Sequence, residues 1–238
     1  MLVASAVNRS ASILPRSSAV PIVFVIDDDA SVRESLETLI RLEGWQPETF
    51  ASAEQFLSRP WPLGPSCLVL DATLPSFGGL EVQRRVAAER LDMPIIFIAD
   101  HGDIAMTVQA MKAGAAEFLL KPVDENALVT ALRQSIAQSA AALEREAELQ
   151  ALRDRYAGLS SREREVMALI ASGRLNKQAG SDLGISEITV KAHRGRVMAK
   201  MRARSFVDLV HMAVRLGVTS AAWQDQSHLA VPSRTLPH

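Results

Sequence analysis

The stretch VFVIDDD, residues 23–29, carries the reading of the fold. Short apolar runs rich in Val, Ile and Leu are strands buried on both faces of a parallel sheet. Ile22–Ile26 is such a run, and Asp27 and Asp28 stand immediately past it. CLVLD, residues 67–71, repeats the arrangement and puts Asp71 past its own run. A third run, Glu117–Leu120, delivers Lys121 and then Pro122. If these strands are neighbours, the three carboxylates meet at the sheet's C-terminal edge, where open α/β sheets place their sites. Three carboxylates need a cation, and hard oxygen ligands suit Mg2+. A lysine beside them adds a fixed positive charge for a phosphoryl group. The predicted site carries phosphate on an aspartate.

Outward from these runs, apolar strands alternate with amphipathic segments from residue 21 to about 138. The pattern predicts helices over 31–43 (closed by Gly44), from 53, over 80–89, over Ile104–Lys112 and over 124–135. A weak strand is expected at 48–50 and another at 94–98. Five βα units in about 120 residues predict a flavodoxin-like sheet with strand order 2-1-3-4-5. Residues 136–157 are charged, alanine-rich and of high helix propensity. Ala142, Leu149 and Tyr156 recur at seven, but Arg145 and Leu152 hold the other core positions. A semi-rigid helical linker is therefore expected rather than a coiled coil.

LSSRERE, residues 159–165, opens a last, helical segment. Ser160 with Glu163 three residues on is a capping box, Val166 and Ile170 supply the apolar stripe, and Gly173 ends the helix. A short helix over 177–183, a turn at Gly184, a helix capped by Ser186 and running to about Met201, and a last helix over 205–216 follow. Two helices joined by a short Gly-containing turn, the second of them basic, form a helix-turn-helix pattern.

Composition agrees with this division. The 238 residues have room for two domains, and 48% hydrophobic with 22% charged residues is the balance of a soluble globular protein. No apolar stretch approaches the ~18–20 residues of a membrane span, so no membrane partner is expected. The single cysteine, Cys67, sits in a predicted core strand and excludes an internal disulfide, which points to a reducing cytoplasm. The net charge of −1 hides an asymmetry. Residues 19–133 hold 17 acidic and 9 basic residues, a net of −8, whereas residues 159–217 hold 11 basic and 5 acidic, a net of +6. The first balance collects at a metal site, and the second is that of a phosphate-backbone binder.

The set Asp27, Asp28, Asp71, Thr73, Gly79, Lys121 and Pro122, with the DxxxP spacing of Asp71 and Pro75, resembles the receiver domain of bacterial response regulators. The resemblance implies that Asp71 takes a phosphoryl group from a histidine kinase and that Lys121 contacts a phosphoryl oxygen. It implies that Asp28, Asp71 and the backbone carbonyl of Thr73 ligate Mg2+, with Asp27 holding it through water. Residues 159–217 resemble the LuxR-type helix-turn-helix, and the pairing of the two resembles the NarL/FixJ family, nearest its FixJ-like branch. That implies a third helix in the major groove, with Thr189, Lys191, Arg194 and Arg196 as DNA contacts and Lys177 and Lys200 on phosphates. Val190, Val197 and Met201 are expected in the core, His193 on either side, and His101 in a loop.

The organisation implied is a flexible tail (1–20), a (βα)5 receiver (21–138), a helical linker (139–157), a four-helix DNA-binding domain (158–217) and a second tail (218–238). A start codon assigned too early is the other account of residues 1–20. The implied function is transcription control by phosphorylation, through a homodimer on a two-half-site operator in the cytoplasm, with RNA polymerase as a further partner and no enzymatic activity of its own. A rival resemblance exists: Asp27-x-Asp29 after an apolar run is similar to the nucleophile motif of haloacid-dehalogenase-type phosphatases. Those need a later acidic pair in the same domain, and after Lys121 this chain turns into a basic helical module.

Three departures from the family pattern stand out. Ala99 occupies the end of strand four, where these receivers carry the Thr or Ser that bonds the phosphoryl oxygen and moves the fourth-helix and fifth-strand surface. Its switch partner, the aromatic Phe118, is retained. Asp100 adds a charge where a small residue is usual. A receiver uncoupled from phosphorylation is thus the second expectation. Ala179-Gly180 replaces an aliphatic-alanine pair, and a mid-helix glycine costs about 1 kcal/mol against alanine, which predicts a loose scaffold helix.

Overall fold

Alternate residues of each strand serve opposite faces of one sheet, and this sorts the whole first half of the molecule. Phe24, Ile26, Leu68, Leu70 and Phe97 join one buried cluster, while Val23, Val25, Cys67, Val69, Ile96 and Ile98 join another. The computed structural model describes residues 20–60, 64–75, 78–90, 92–100 and 104–218. His101 and both expected tails, except Val20 and Val218, lie outside the described residues.

Five parallel strands, β1 (Ile22–Ile26), β2 (Gln46–Phe50), β3 (Ser66–Asp71), β4 (Ile95–Ala99) and β5 (Glu117–Leu120), lie in the order β2-β1-β3-β4-β5. Between them run α1 (Ala30–Leu42), α2 (Ala53–Leu57), α3 (Gly79–Glu89) and α4 (Ile104–Lys112), and α5 (Glu125–Ala157) follows β5. α1 and α5 cover one face through Leu36, Ile40, Leu128 and Leu132. α2, α3 and α4 cover the other through Phe56, Val82, Val86 and Ala110. Burial of both faces explains the unbroken apolar runs of β1, β3 and β4, whereas the edge strands β2 and β5 are only half-buried. β2 starts earlier than the apolar pattern predicts because Gln46 N–H donates to the Pro21 carbonyl at 2.9 Å. An edge strand needs one partner and little hydrophobicity, and it tolerates Pro47 for the same reason. Cys67 is fully buried in β3, and burial pushes its thiol up to about 12.

The expected boundary between last receiver helix and linker does not exist. α5 is one helix of 33 residues, and the division into two compact units falls within it, between Glu144 and Arg145. The segment expected as linker carries core residues of both units. Ser139 is buried and its hydroxyl accepts the Ser66 N–H at 3.0 Å, and Leu152 joins the second unit's core. Its alanines and charges favour helix throughout, so no local signal marks the change of unit.

In the second unit α6 (Ser161–Ala171), α7 (Asn176–Leu183), α8 (Glu187–Met201) and α9 (Phe206–Arg215) pack around Val166, Met167, Ile170, Val190, Val197, Met201 and Leu209. Side-chain caps start three of them: Ser160 and Glu163 complete the capping box, and Ser186 and Ser205 accept the amides of Thr189 and Asp208. Gly184, at φ +66°, makes the left-handed turn from α7 to α8. Gly180 reverses the expectation of looseness. A Cβ there would lie 2.7 Å from the Ile185 carbonyl oxygen, so glycine is what lets α7 close onto that turn.

Candidate functional site

Strand register brings the acidic residues together. Ile26 pairs with Leu70, so Asp27 and Asp71 leave adjacent strands at one level, and Ala99 pairs with Leu120 next to Lys121. Backbone bonds beyond the ladders hold that edge: Ala72 N–H to the Ile98 carbonyl and Lys121 N–H to the Ala99 carbonyl, each 2.8 Å. Carboxylate oxygens of Asp27, Asp28 and Asp71 lie within 4.8 Å of one another, with Asp27 and Asp71 buried and Asp28 exposed. Lys121 Nζ donates to Asp27 Oδ2 at 2.9 Å and to Asp71 Oδ2 at 2.8 Å. Thr73 donates both its N–H and its hydroxyl to Asp71 Oδ1 at 2.7 Å. Only the Thr73 carbonyl was assigned from sequence. The donor role needed the turn that follows Asp71 to be seen.

The two buried carboxylates are driven apart. Burial holds Asp27 above the usual carboxylate range, against the pull of Lys121 and the Asp29 amide. Burial also acts to raise Asp71, but the bonds from Lys121 and Thr73 outweigh it and its pKa falls. Lys121 is disfavoured by burial, yet Asp71 and Asp27 together raise its pKa and keep the ammonium charged. One lysine therefore shares its charge between two buried carboxylates beside a third acid. This hard-oxygen set fits Mg2+. Asp29 is the side-chain cap of α1, accepting the Ser31 amide and hydroxyl at 2.8 Å, so the second acid of a phosphatase motif is committed elsewhere. Gly79 starts α3 against this site: a Cβ there would meet Phe97 Cε1 at 2.8 Å and the Asp71 carbonyl oxygen at 3.2 Å.

Ala99 is fully buried at the end of β4 and brings no hydroxyl to the edge. Asp100 follows it, exposed, and among the described residues it is not one of the converging carboxylates. Phe118 is half-buried and stacks on Phe97 with centroids 6.0 Å apart.

The predicted nucleic-acid face divides in the structure. Lys177, Lys191 and Arg196 are exposed, and Lys191 pairs with Glu187 on its own helix, at 3.2 Å. Arg194 lies over the Phe206 ring at 4.8 Å, which ties α8 to α9. The Thr189 hydroxyl faces that of Ser186 at 2.8 Å within the cap. Lys200 is engaged within its own unit. Its ammonium, expected on a DNA phosphate, donates to Glu163 Oε2 at 2.7 Å and to the Gly158 carbonyl at 3.3 Å. Glu163 is buried, and Lys200 with the Ser160 amide lowers its pKa to about 2. His193 is half-buried, and its Nδ1 finds no hydrogen-bond partner among the described residues.

Comparison with known proteins sorts the two units in the same way. Residues 23–133 match the response regulator receiver domain, and residues 157–213 match the bacterial regulatory proteins of the luxR family. Nodulation protein W of Bradyrhizobium diazoefficiens is 44% identical over 204 residues, covering 86% of this chain and 90% of that one. Transcriptional regulatory protein FixJ of Azorhizobium caulinodans is 42% identical over 199 residues, covering 84% and 94%. Among solved structures, the response regulator StyR is similar with a TM-score of 0.74 at 44% identity, covering 83% of this chain and all of that one.

Proposed function

The chain belongs to the NarL/FixJ family of response regulators, a receiver domain joined to a LuxR-type helix-turn-helix, and on that footing we propose how its own residues receive and transmit the signal. Proteins of this build regulate transcription, with a histidine kinase upstream and DNA downstream.

In our reading Asp71 is the phosphoacceptor. One of its carboxylate oxygens attacks the phosphorus of the kinase's phosphohistidine and a P–O bond forms. The P–N bond breaks, and the departing imidazole takes up a proton from solvent. Asp71 suits this because it is the carboxylate kept ionised by Thr73 and Lys121. Lys121, already 2.8 Å from Asp71 Oδ2, turns to a phosphoryl oxygen. Asp28, Asp71 and the Thr73 carbonyl would hold Mg2+, and Asp27 would hold it through water. When bound, the ion neutralises charge on the transferring group. Asp27, less acidic through burial, tolerates a pocket short of cations.

α8 is the groove-entering helix, with Lys191, Arg194 and Arg196 toward DNA, Thr189 at its start and Lys177 on a phosphate. Ile104, Val108 and Met111 of α4 and Leu120 of β5 are exposed apolar residues on one part of the receiver, the character of a homodimer surface. A dimer would place two α8 helices on a two-half-site operator, where RNA polymerase is the next partner. Among the described residues no helix is long and apolar enough to cross a membrane. A kinase upstream and an operator downstream would have this chemistry run in the cytoplasm.

The observation that carries the reading is the convergence of Asp27, Asp28 and Asp71, two of them paired with Lys121, in a chain that also carries a basic helix-turn-helix. Acetyl phosphate should label the wild type and not Asp71→Asn, and beryllofluoride with Mg2+ should bind the wild type alone. Equal labelling of both would overturn the assignment.

A further inference from the structure

Ile188, the second residue of α8, leaves 80% of its surface exposed. Helical spacing sets Ile188, Ala192 and Gly195 in line with Lys191 beside them, on the side opposite buried Val190, Val197 and Met201. Ala192 and Gly195 are exposed, and a Cβ at Gly195 would meet nothing within 4 Å. The outward midline of α8 is therefore apolar and low, with Lys191 and Arg196 along its flanks. Only Ile188 rises from it.

Resting on the reading of α8 as the DNA-binding helix, we propose that Ile188 determines specificity by recognising thymine through its C5-methyl group in the major groove. The N-terminal residues of such a helix meet base edges. Among the groups that base pairs present in the major groove, the thymine methyl is the apolar one. An isoleucine set against adenine N6, guanine O6 or cytosine N4 would bury a donor or acceptor without a partner, so it rejects them as well as favouring thymine. The charges on either side fit a phosphate-lined groove, since Lys177, Lys191 and Arg196 are all exposed. Low side chains at 192 and 195 let the helix backbone come close enough for one branched residue to reach a base.

The test uses the full-length protein with Mg2+ and beryllofluoride. It first selects duplexes from a random library, then replaces each thymine of the enriched sequence by deoxyuridine, which lacks only the methyl group. For the wild type, one thymine in each half-site should lose about four-fold in affinity on replacement, the worth of one buried methyl. Ile188→Ala should bind more weakly and show no penalty at that thymine, and Ile188→Val should keep part of it. Lys177→Ala should weaken binding to all sequences while the deoxyuridine pattern stays. A penalty that survives in Ile188→Ala, or a wild type with no methyl-sensitive position, overturns the inference and leaves DNA binding standing. A wild type that enriches no sequence overturns DNA binding and this inference together.

Discussion

Asp27 and Asp71 are both closed off from solvent, and a single ammonium serves both. Removing one partner of a buried ion pair costs about 3–5 kcal/mol because the other charge is left uncompensated. Lys121→Met should therefore lower the receiver's melting temperature, and Mg2+ should restore more of it than it adds to the wild type. Equal gains from Mg2+ in both proteins would show that Lys121 does not stand in for the cation. Glu163 makes a second prediction, with its sign set by a depressed pKa. Its ionised form is favoured in the folded state, so the stabilisation is present above its ordinary value of 4.5 and is lost as pH falls toward about 2. Glu163→Gln should melt earlier than the wild type at neutral pH, and the gap should close across that acid window. Asp27, Asp28, Asp71 and Lys121 were legible in sequence because each stands at or just past the end of a strand. The Lys200–Glu163 pair was not, since its partners stand 37 residues apart and lysine on a basic helix reads as a phosphate contact.

Two glycines in neighbouring helices show what an element hides from its own sequence. Propensity treats Gly180 of α7 and Gly195 of α8 alike, each about 1 kcal/mol worse than alanine. Their surroundings are opposite, with the Ile185 carbonyl oxygen 2.7 Å from a Cβ at 180 and open space at 195. Gly195→Ala should stabilise the helix-turn-helix by up to about 1 kcal/mol and so raise its melting temperature. Gly180→Ala should destabilise it by about 1–3 kcal/mol, as overpacking does. Thermal denaturation of both variants decides the matter, and a stabilised Gly180→Ala would mean the turn at 185 gives way. Most elements were readable from period and caps, because burial on both faces of the sheet and serine at helix starts leave local marks. The continuity of α5 was not readable, since the end of one unit and the start of the next share the same helix-favouring residues. Nor was the early start of β2, which an edge backbone bond decides.

Across the molecule, a phosphoryl group on Asp71, as proposed, would have to act on surfaces it never touches, and Ala99, which brings no hydroxyl to the edge, would leave that route thin. A hydrogen bond to a charged acceptor contributes about 1.5–3 kcal/mol. Its absence would cut the active-to-inactive ratio by roughly 10- to 150-fold. Beryllofluoride should therefore shift dimerisation and operator affinity only weakly in the wild type, and Ala99→Ser should enlarge the shift in sedimentation and binding titrations. A wild type that switches fully, with the serine adding nothing, would leave the task to Lys121 and the backbone. The opposite net charges of the two halves were legible by counting, as was the pairing of an acidic site with a basic helix. One buried atom gives the molecule a clock. The sole sulfhydryl of the chain, Cys67, lies in a strand flanked on both sides, with its acidity suppressed by burial. A disulfide reagent can capture it only during excursions that part the middle of the sheet, so the capture rate counts those excursions without any engineered label. Ligands that clamp the carboxylate edge should slow the count, and those acting only on the helix-turn-helix should leave it unchanged.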